Sequence, residues 1–159
     1  SQKQAVPLSD EISALTLYLE LESLRFQQKF EYNLVVDLSI DSSACFIPAF
    51  LIQPIVENAI WHGIMGLDVT GRIDIEFQKN PNNITCIVED NGIGRQRSME
   101  LKTPVQKAKQ SYGIALVVSR LELLNNLYNI DMKIQFVDLH ADNGQAAGTR
   151  VIIQLPMIS

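Results

Sequence analysis

From Leu8 to Phe30, apolar residues recur at helical spacing: Leu8, Ile12, Leu15, Leu19, Phe26 and Phe30. Ser9 is a cap candidate, Asp10 and Glu11 make an acidic first turn, and the pattern predicts one long helix. Leu17, Leu21 and Leu24 lie off that stripe, so a second face also asks for burial, within the core or against a neighbouring domain. Alternation then takes over. Tyr32, Leu34, Val36, Leu38 and Ile40 predict a half-buried strand, and Ile73, Ile75 and Phe77 between polar neighbours predict another. Pro81-Asn82-Asn83 is a turn into a third run with Ile84, Cys86 and Val88 on one face, which makes a hairpin. Met132, Ile134 and Phe136, then Val151, Ile153 and Leu155, predict two more strands.

Two further helices are interleaved. Pro48 suits a first helical turn and Ala49 to His62 continues it, with a new turn or a kink at Pro54. Ile114, Val117, Leu121, Leu124 and Tyr128 place a third helix over 113–128. Between hairpin and third helix, Asn91 to Tyr112 is rich in Lys, Gln and Arg without sustained periodicity. A loop of that length in a compact domain is a functional lid or disordered.

Composition narrows the class. The chain has 159 residues, 47% hydrophobic and 19% charged, with a net charge of -5: enough for one domain with a real core. The acidic balance and the lack of an obvious basic face give no reason to expect a nucleic-acid partner, and none is expected. The longest apolar run, Ala44 to Ile52, contains Pro48 and falls far short of the roughly 20 residues that span a bilayer. Cys45 and Cys86 read as buried thiols in a reducing compartment, and no His/Cys cluster suggests a metal centre. The chain runs into a helix within a few residues of Ser1, which gives it the look of a piece of something longer.

The strongest anomaly is Asp90. Strand parity puts it on the face of Ile84, Cys86 and Val88, where an unpaired carboxylate is expensive. Either the strand ends early and Asp90 caps the turn into Asn91-Gly92, or it is the floor of a pocket that accepts a hydrogen bond from a ligand amino group. Gly92 and Gly94 allow close backbone approach to a flat ligand. Upstream, Glu57, Asn58, Trp61 and His62 share one helical face, backed by Ile52, Ile55, Val56, Ala59 and Ile60. That face carries hydrogen-bonding groups and an aromatic in place of the Lys and Glu of a solvated face. Downstream, Ser111-Tyr112-Gly113-Ile114-Ala115-Leu116 opens a helix whose N–H groups suit phosphate. Gly148-Thr149 precedes the final strand, and Thr149 shares parity with Val151 and Ile153. No phosphate-binding Gly-rich loop of the P-loop or dinucleotide type is present.

In this order the boxes resemble the ATP-binding catalytic domain of LytS-type sensor histidine kinases, in the gyrase, Hsp90, histidine kinase and MutL superfamily. The resemblance runs from the Tyr18-to-Phe26 helix through the Gln53-to-Gly63 box and the Asp90-to-Gly94 and Ser111-to-Leu116 boxes, with Arg120-Leu121 following, to Gly148-Thr149. It implies the α/β (α+β) Bergerat ATP-binding fold, a two-layer sandwich of a mixed sheet of about five strands and three main helices. Residues 1–30 would link to a missing dimerisation and phosphoacceptor domain, and 31–159 would be the catalytic domain.

The implied cofactors are ATP and Mg²⁺. Asp90 would accept from the adenine amino group with Thr149 in support, Gly92 and Gly94 would shape the wall, and Asn58 would ligate Mg²⁺. Glu57 would join Asn58 as a catalytic residue, orienting water or assisting transfer. His62, Ser111, Gly113 and Leu116 complete the implied nucleotide contacts. The lid would close over the triphosphate with Arg95, Arg97, Lys102, Lys107 and Lys109 as candidates to meet it.

The implied activity is transfer of the γ-phosphoryl group to a histidine on the adjoining domain, with a response regulator downstream. The whole protein would be a membrane-anchored homodimer with this part in the cytoplasm. Neither His62 nor His140 sits in a phosphoacceptor setting, and His140 reads as an exposed residue. Trp61 stands where the kinase pattern often has Lys, and Ser111 and Ala115 replace glycines. A non-catalytic nucleotide-binding signalling module of the same fold is the alternative. Hydrolytic relatives carry a catalytic Glu where this chain has Pro54, which counts against ATP hydrolysis.

Overall fold

A computed structural model describes residues 5–27 and 29–158, without the side chains of 110–113. Two layers build it. One is a five-stranded sheet in the order β2 (Phe30–Val36), β4 (Gly71–Lys79), β5 (Asn83–Asp90), β7 (Ala146–Pro156), β6 (Ile134–His140). β2 and β4 run parallel and the other pairs antiparallel, so the sheet is mixed, as expected. The other layer is α1 (Leu8–Arg25), α2 (Gln53–Asn58) and α4 (Pro104–Tyr128); α3 (Arg95–Glu100) is a short additional helix. A two-stranded ribbon, β1 (Ala5–Pro7) with β3 (Phe46–Pro48), is an element the sequence pattern did not suggest.

The core lies between the layers. Ile73, Ile75 and Phe77 of β4, and Ile84, Cys86 and Val88 of β5, are all buried on the face that alternation assigned to them. They meet Leu15 and Leu19 of α1 and Val117, Leu121 and Leu124 of α4. Fully burying side chains of this kind contributes about 1.5–3 kcal/mol each. Leu17, Leu21 and Leu24 stay 57%, 56% and 71% exposed, so the second face of α1 is not used inside the domain.

Several expected boundaries move for local reasons. β2 stops at Val36 because Asp37 Oδ1 accepts from the Ser39 amide at 2.9 Å and its hydroxyl at 2.8 Å, which turns the chain and leaves Leu38 wholly exposed. α1 ends at Arg25, and Phe30 opens β2. Pro48 belongs to β3, and the next helix starts at Gln53 with Pro54 in its first turn. That helix then widens to a π turn over Ala59–Gly63 and tightens to a 3₁₀ turn over Ile64–Gly66.

The largest correction concerns the lid. The 91–112 stretch carries α3 and the first part of α4, which begins at Pro104, nine residues before the expected start. A capping box starts it: Gln106 N–H donates to Thr103 Oγ1 at 3.2 Å, and Thr103 N–H donates to Gln106 Oε1 at 2.9 Å. Asn129, in the left-handed region, ends it.

Leu15 is fully buried and Leu17 is 57% exposed on the same helix. Leu15→Ala is expected to lower the unfolding free energy by about 2–5 kcal/mol, and Leu17→Ala by no more than about 0.5 kcal/mol, in urea titrations.

Candidate nucleotide-binding site

Asp90 closes β5. In register it lies between Ile73 of β4 and Thr149 of β7, and Thr149 in turn pairs with Asp138 of β6, so one row of the sheet carries two carboxylates. Asp90 is 6% exposed. Its Oδ1 accepts from Gly92 N–H at 2.8 Å, so it caps the turn, and the same residue lines a small pocket. The Gly92 bond uses one of the roughly four acceptor positions of a carboxylate. Among the described residues no cation pairs with it. Burial raises its pKa to about 6, the nearby backbone N–H groups of Gly92 and Thr149 pull against that shift, and the Glu89 charge adds to it.

Glycines let the backbones close in around this group. A Cβ on Gly63 would lie 2.9 Å from Asp90 Oδ1, and one on Gly92 would lie 2.4 Å from the Gly63 carbonyl carbon. The π turn thus rests directly on the Asp90 turn, with Ile93 N–H donating to Gly63 C=O at 3.3 Å.

Above Asp90 the described residues line two neighbouring spaces. A small one of about 20 Å³ touches Asp90, Thr149, Gly63, Gly94 and Arg95. A larger cleft of about 430 Å³ opens outward between Glu57, Asn58, Trp61 and His62 on one side and Lys102, Gln106 and Lys109 on the other. Ile55, Asn58, His62 and Phe136 line both. The helix face singled out by its polar content is therefore the cleft wall, and its backing residues Ile52, Ile55, Val56, Ala59 and Ile60 are all buried.

Electrostatics divide the cleft. Lys102 donates to Ser98 Oγ at 2.9 Å, and partial burial lowers its pKa. Burial first, and the Lys102 charge second, bring the His62 pKa to about 4, so His62 is neutral at pH 7. Its Nδ1 is buried without a hydrogen-bond partner. Glu57 accepts from Gln53 Nε2 at 3.2 Å. Trp61 is 40% exposed at the rim, packed edge-on against Phe26 at 5.0 Å with the Arg25 guanidinium 5.2 Å from its ring.

The structure brings Glu57, Asn58, His62, Asp90, Gly94 and Thr149 to these spaces, with Gly92 packed behind. Leu116 is 52% exposed on α4, away from both. Ser111 and Gly113 fall within the α4 backbone, and beyond the backbone these positions lie outside what is described. Of the lid cations, Lys102 and Lys109 face the cleft and Arg95 faces the Asp90 pocket, while Arg97 and Lys107 are exposed elsewhere. His140 is exposed at the end of β6. Sequence reasoning missed Phe136 as a site residue, although its alternation with Ile134 already placed it on the inward face.

Residues 48–159 match the family described as histidine kinase-, DNA gyrase B-, and HSP90-like ATPase, and the chain belongs to that family. It is 36% identical over 116 residues to sensor histidine kinase BtsS of Escherichia coli K12, covering 73% of this chain and 19% of that protein. It is 28% identical over 159 residues to sensor protein LytS of Bacillus subtilis 168, covering 96% of this chain and 25% of that protein. The chain thus spans about a fifth to a quarter of these relatives. The fold matches the nucleotide-free catalytic domain of histidine kinase ThkA with a TM-score of 0.60 at 13% identity, covering 96% of this chain and 95% of that one. It also matches ThkA solved in complex with response regulator TrrA, with a TM-score of 0.58 at 13% identity, covering 97% of this chain and 41% of that one.

The raised Asp90 pKa has a thermodynamic sign. The folded state holds the proton more tightly than the unfolded chain, so this group's stabilising contribution is full below about pH 4 and is lost as pH rises through about 6. The stability advantage of wild type over Asp90→Asn is expected to fall by an order of 2–3 kcal/mol between pH 4 and pH 7.5 in urea titrations.

Proposed function

We propose that this chain is the ATP-binding catalytic domain of a sensor histidine kinase. In this reading it transfers the γ-phosphoryl group of ATP to an imidazole nitrogen of a histidine outside residues 1–159 and leaves ADP. The observation that carries the reading is Asp90: a buried carboxylate with no paired cation among the described residues, beside a cleft whose outer side carries Lys102 and Lys109. Such a carboxylate suits an exocyclic amine donor, and the lysines suit phosphates.

The donor set fits Mg²⁺ in a limited way. Among the described residues no group of three or more His, Cys, Asp or Glu could hold a metal. Asn58 then offers one amide oxygen, and the nucleotide phosphates and water supply the remaining ligands, a pattern typical of Mg²⁺. When bound, the ion neutralises phosphate charge. Glu57, one residue before Asn58 on the same wall, is the carboxylate nearest to that position along α2. The unpartnered Nδ1 of His62 and the partly desolvated Lys102 are both compensated by an arriving polyphosphate. The protein's part is positioning and electrostatics, as in phosphoryl transfer generally.

The linker role of α1, a phosphoacceptor domain in the whole protein, a response regulator partner, dimerisation and membrane anchoring belong to the same reading. The family of the relatives and the exposed Leu17, Leu21 and Leu24 face support it. No helix among the described residues is long and apolar enough to cross a membrane.

Trp61 is the single tryptophan and lines the cleft, so its fluorescence reports occupancy. ATP with Mg²⁺ is expected to change that emission saturably and GTP not to, with Asp90→Ala, folded by circular dichroism, weakened at least tenfold. Binding by Asp90→Ala equal to wild type would falsify the site. Incubation with a separately produced acceptor domain and ATP is expected to label a histidine; nucleotide binding without labelling selects the non-catalytic module instead.

A further inference from the structure

We propose that Phe136, backed by Arg95 and Asp138, is the stacking wall for the purine base; this rests on the ATP reading above. Four residues border both the outer cleft and the Asp90 pocket, and three of them, Ile55, Asn58 and His62, come from α2 and its π turn. Phe136 is the one from the sheet side. A flat ligand that reaches from the cleft to Asp90 passes between these two walls, so one of its faces meets the Phe136 ring.

The space beside Asp90 is about 20 Å³, room for one water rather than a base. A wall must therefore give way on binding. Ile55, Ala59, Val88 and Val151 are buried members of the core. Phe136, on the edge strand β6, is only half-buried and is the apolar wall residue least committed to the core.

Arg95, held by Asp138, lies against it. Arg95 Nε and Nη2 donate to the two Asp138 carboxylate oxygens at 2.8 and 2.9 Å, and the guanidinium lies 5.2 Å from the centre of the Phe136 ring. Both charged side chains are nearly half exposed, 44% and 49%, and a pair so placed adds little to stability. Its fixed fork instead holds a cation against the aromatic ring at the pocket mouth. The pair also neutralises Asp138, which leaves Asp90 as the uncompensated carboxylate of its row.

Calorimetry with ATP, adenosine and inorganic tripolyphosphate tests this on wild type, Phe136→Leu, Phe136→Trp, Arg95→Met and Asp90→Asn. Phe136→Leu keeps apolar volume but loses the aromatic face. It is expected to weaken ATP and adenosine alike by about tenfold, to leave tripolyphosphate unchanged, and to be rescued by Phe136→Trp. Arg95→Met, at a half-exposed position, is expected to weaken the same two ligands about threefold and carries the test if Phe136→Leu does not fold. Unchanged ATP and adenosine affinity in the folded variants, or an equal loss of tripolyphosphate, overturns the stacking wall. If Asp90→Asn still abolishes ATP binding in that case, only the wall fails. A wild type that binds neither ATP nor adenosine overturns the underlying reading and the wall with it.

Discussion

Keeping the Asp90 carboxylate buried with no cation paired to it among the described residues is costly, and the architecture around it exists on those terms. The Gly92 N–H offsets part of the penalty, and burial still leaves its pKa near 6. Shielding it from water requires the π turn to rest on the β5 turn, which Gly63 and Gly92 permit because neither has a side chain in the contact. The same sealing makes the group selective. Inside a low-dielectric pocket a donor that matches Asp90 gains more than it would in water, and an acceptor in its place leaves the carboxylate unpaired.

The two layers serve this site asymmetrically. The sheet contributes fixed points: Asp90 and Thr149 are register partners on central strands whose neighbours carry the core. The helical layer contributes the polar wall, with Asn58 and His62 on an element whose other face is wholly committed to packing. The positive charge on the facing side comes from Lys102, between α3 and α4, and Lys109, on the first part of α4, so the carboxylate floor belongs to the sheet and the cationic side to the helical periphery. Trp61, gripped by Phe26 and Arg25, joins the C-terminal end of α1 to the cleft rim and gives that helix physical contact with the site.

Much of this was legible in the residues. Period-two alternation placed the hairpin and its inward face, including Asp90, because sheet parity is strict and a polar residue on the apolar side stands out. The polar face of α2 stood out for the same reason. The early part of α4 was not read, because exposed Lys and Gln residues carry no hydrophobic period; yet Thr103-Pro104 with Gln106 is a capping signature that could have found it. The ribbon of β1 and β3 was hidden because three-residue strands are too short to show alternation. Arg95 and Asp138 lie 43 residues apart, so their pairing, and the place of Phe136 beside it, emerges only in three dimensions.

The strand order carries a consequence for how the domain assembles. β7 lies between β5 and β6, and Thr149 reaches Asp90 across a sequence separation of about sixty residues. Helices and the β4–β5 hairpin close small loops and form early, whereas insertion of β7 must first overcome the entropy of a long loop. β6 and β7 can pair locally across the short 141–145 turn, but until that hairpin docks on β5 the Asp90–Thr149 floor of the pocket does not exist. Recognition chemistry is thus among the last properties the folding chain acquires, and a partly collapsed chain with its helices already formed is still blind to nucleotide.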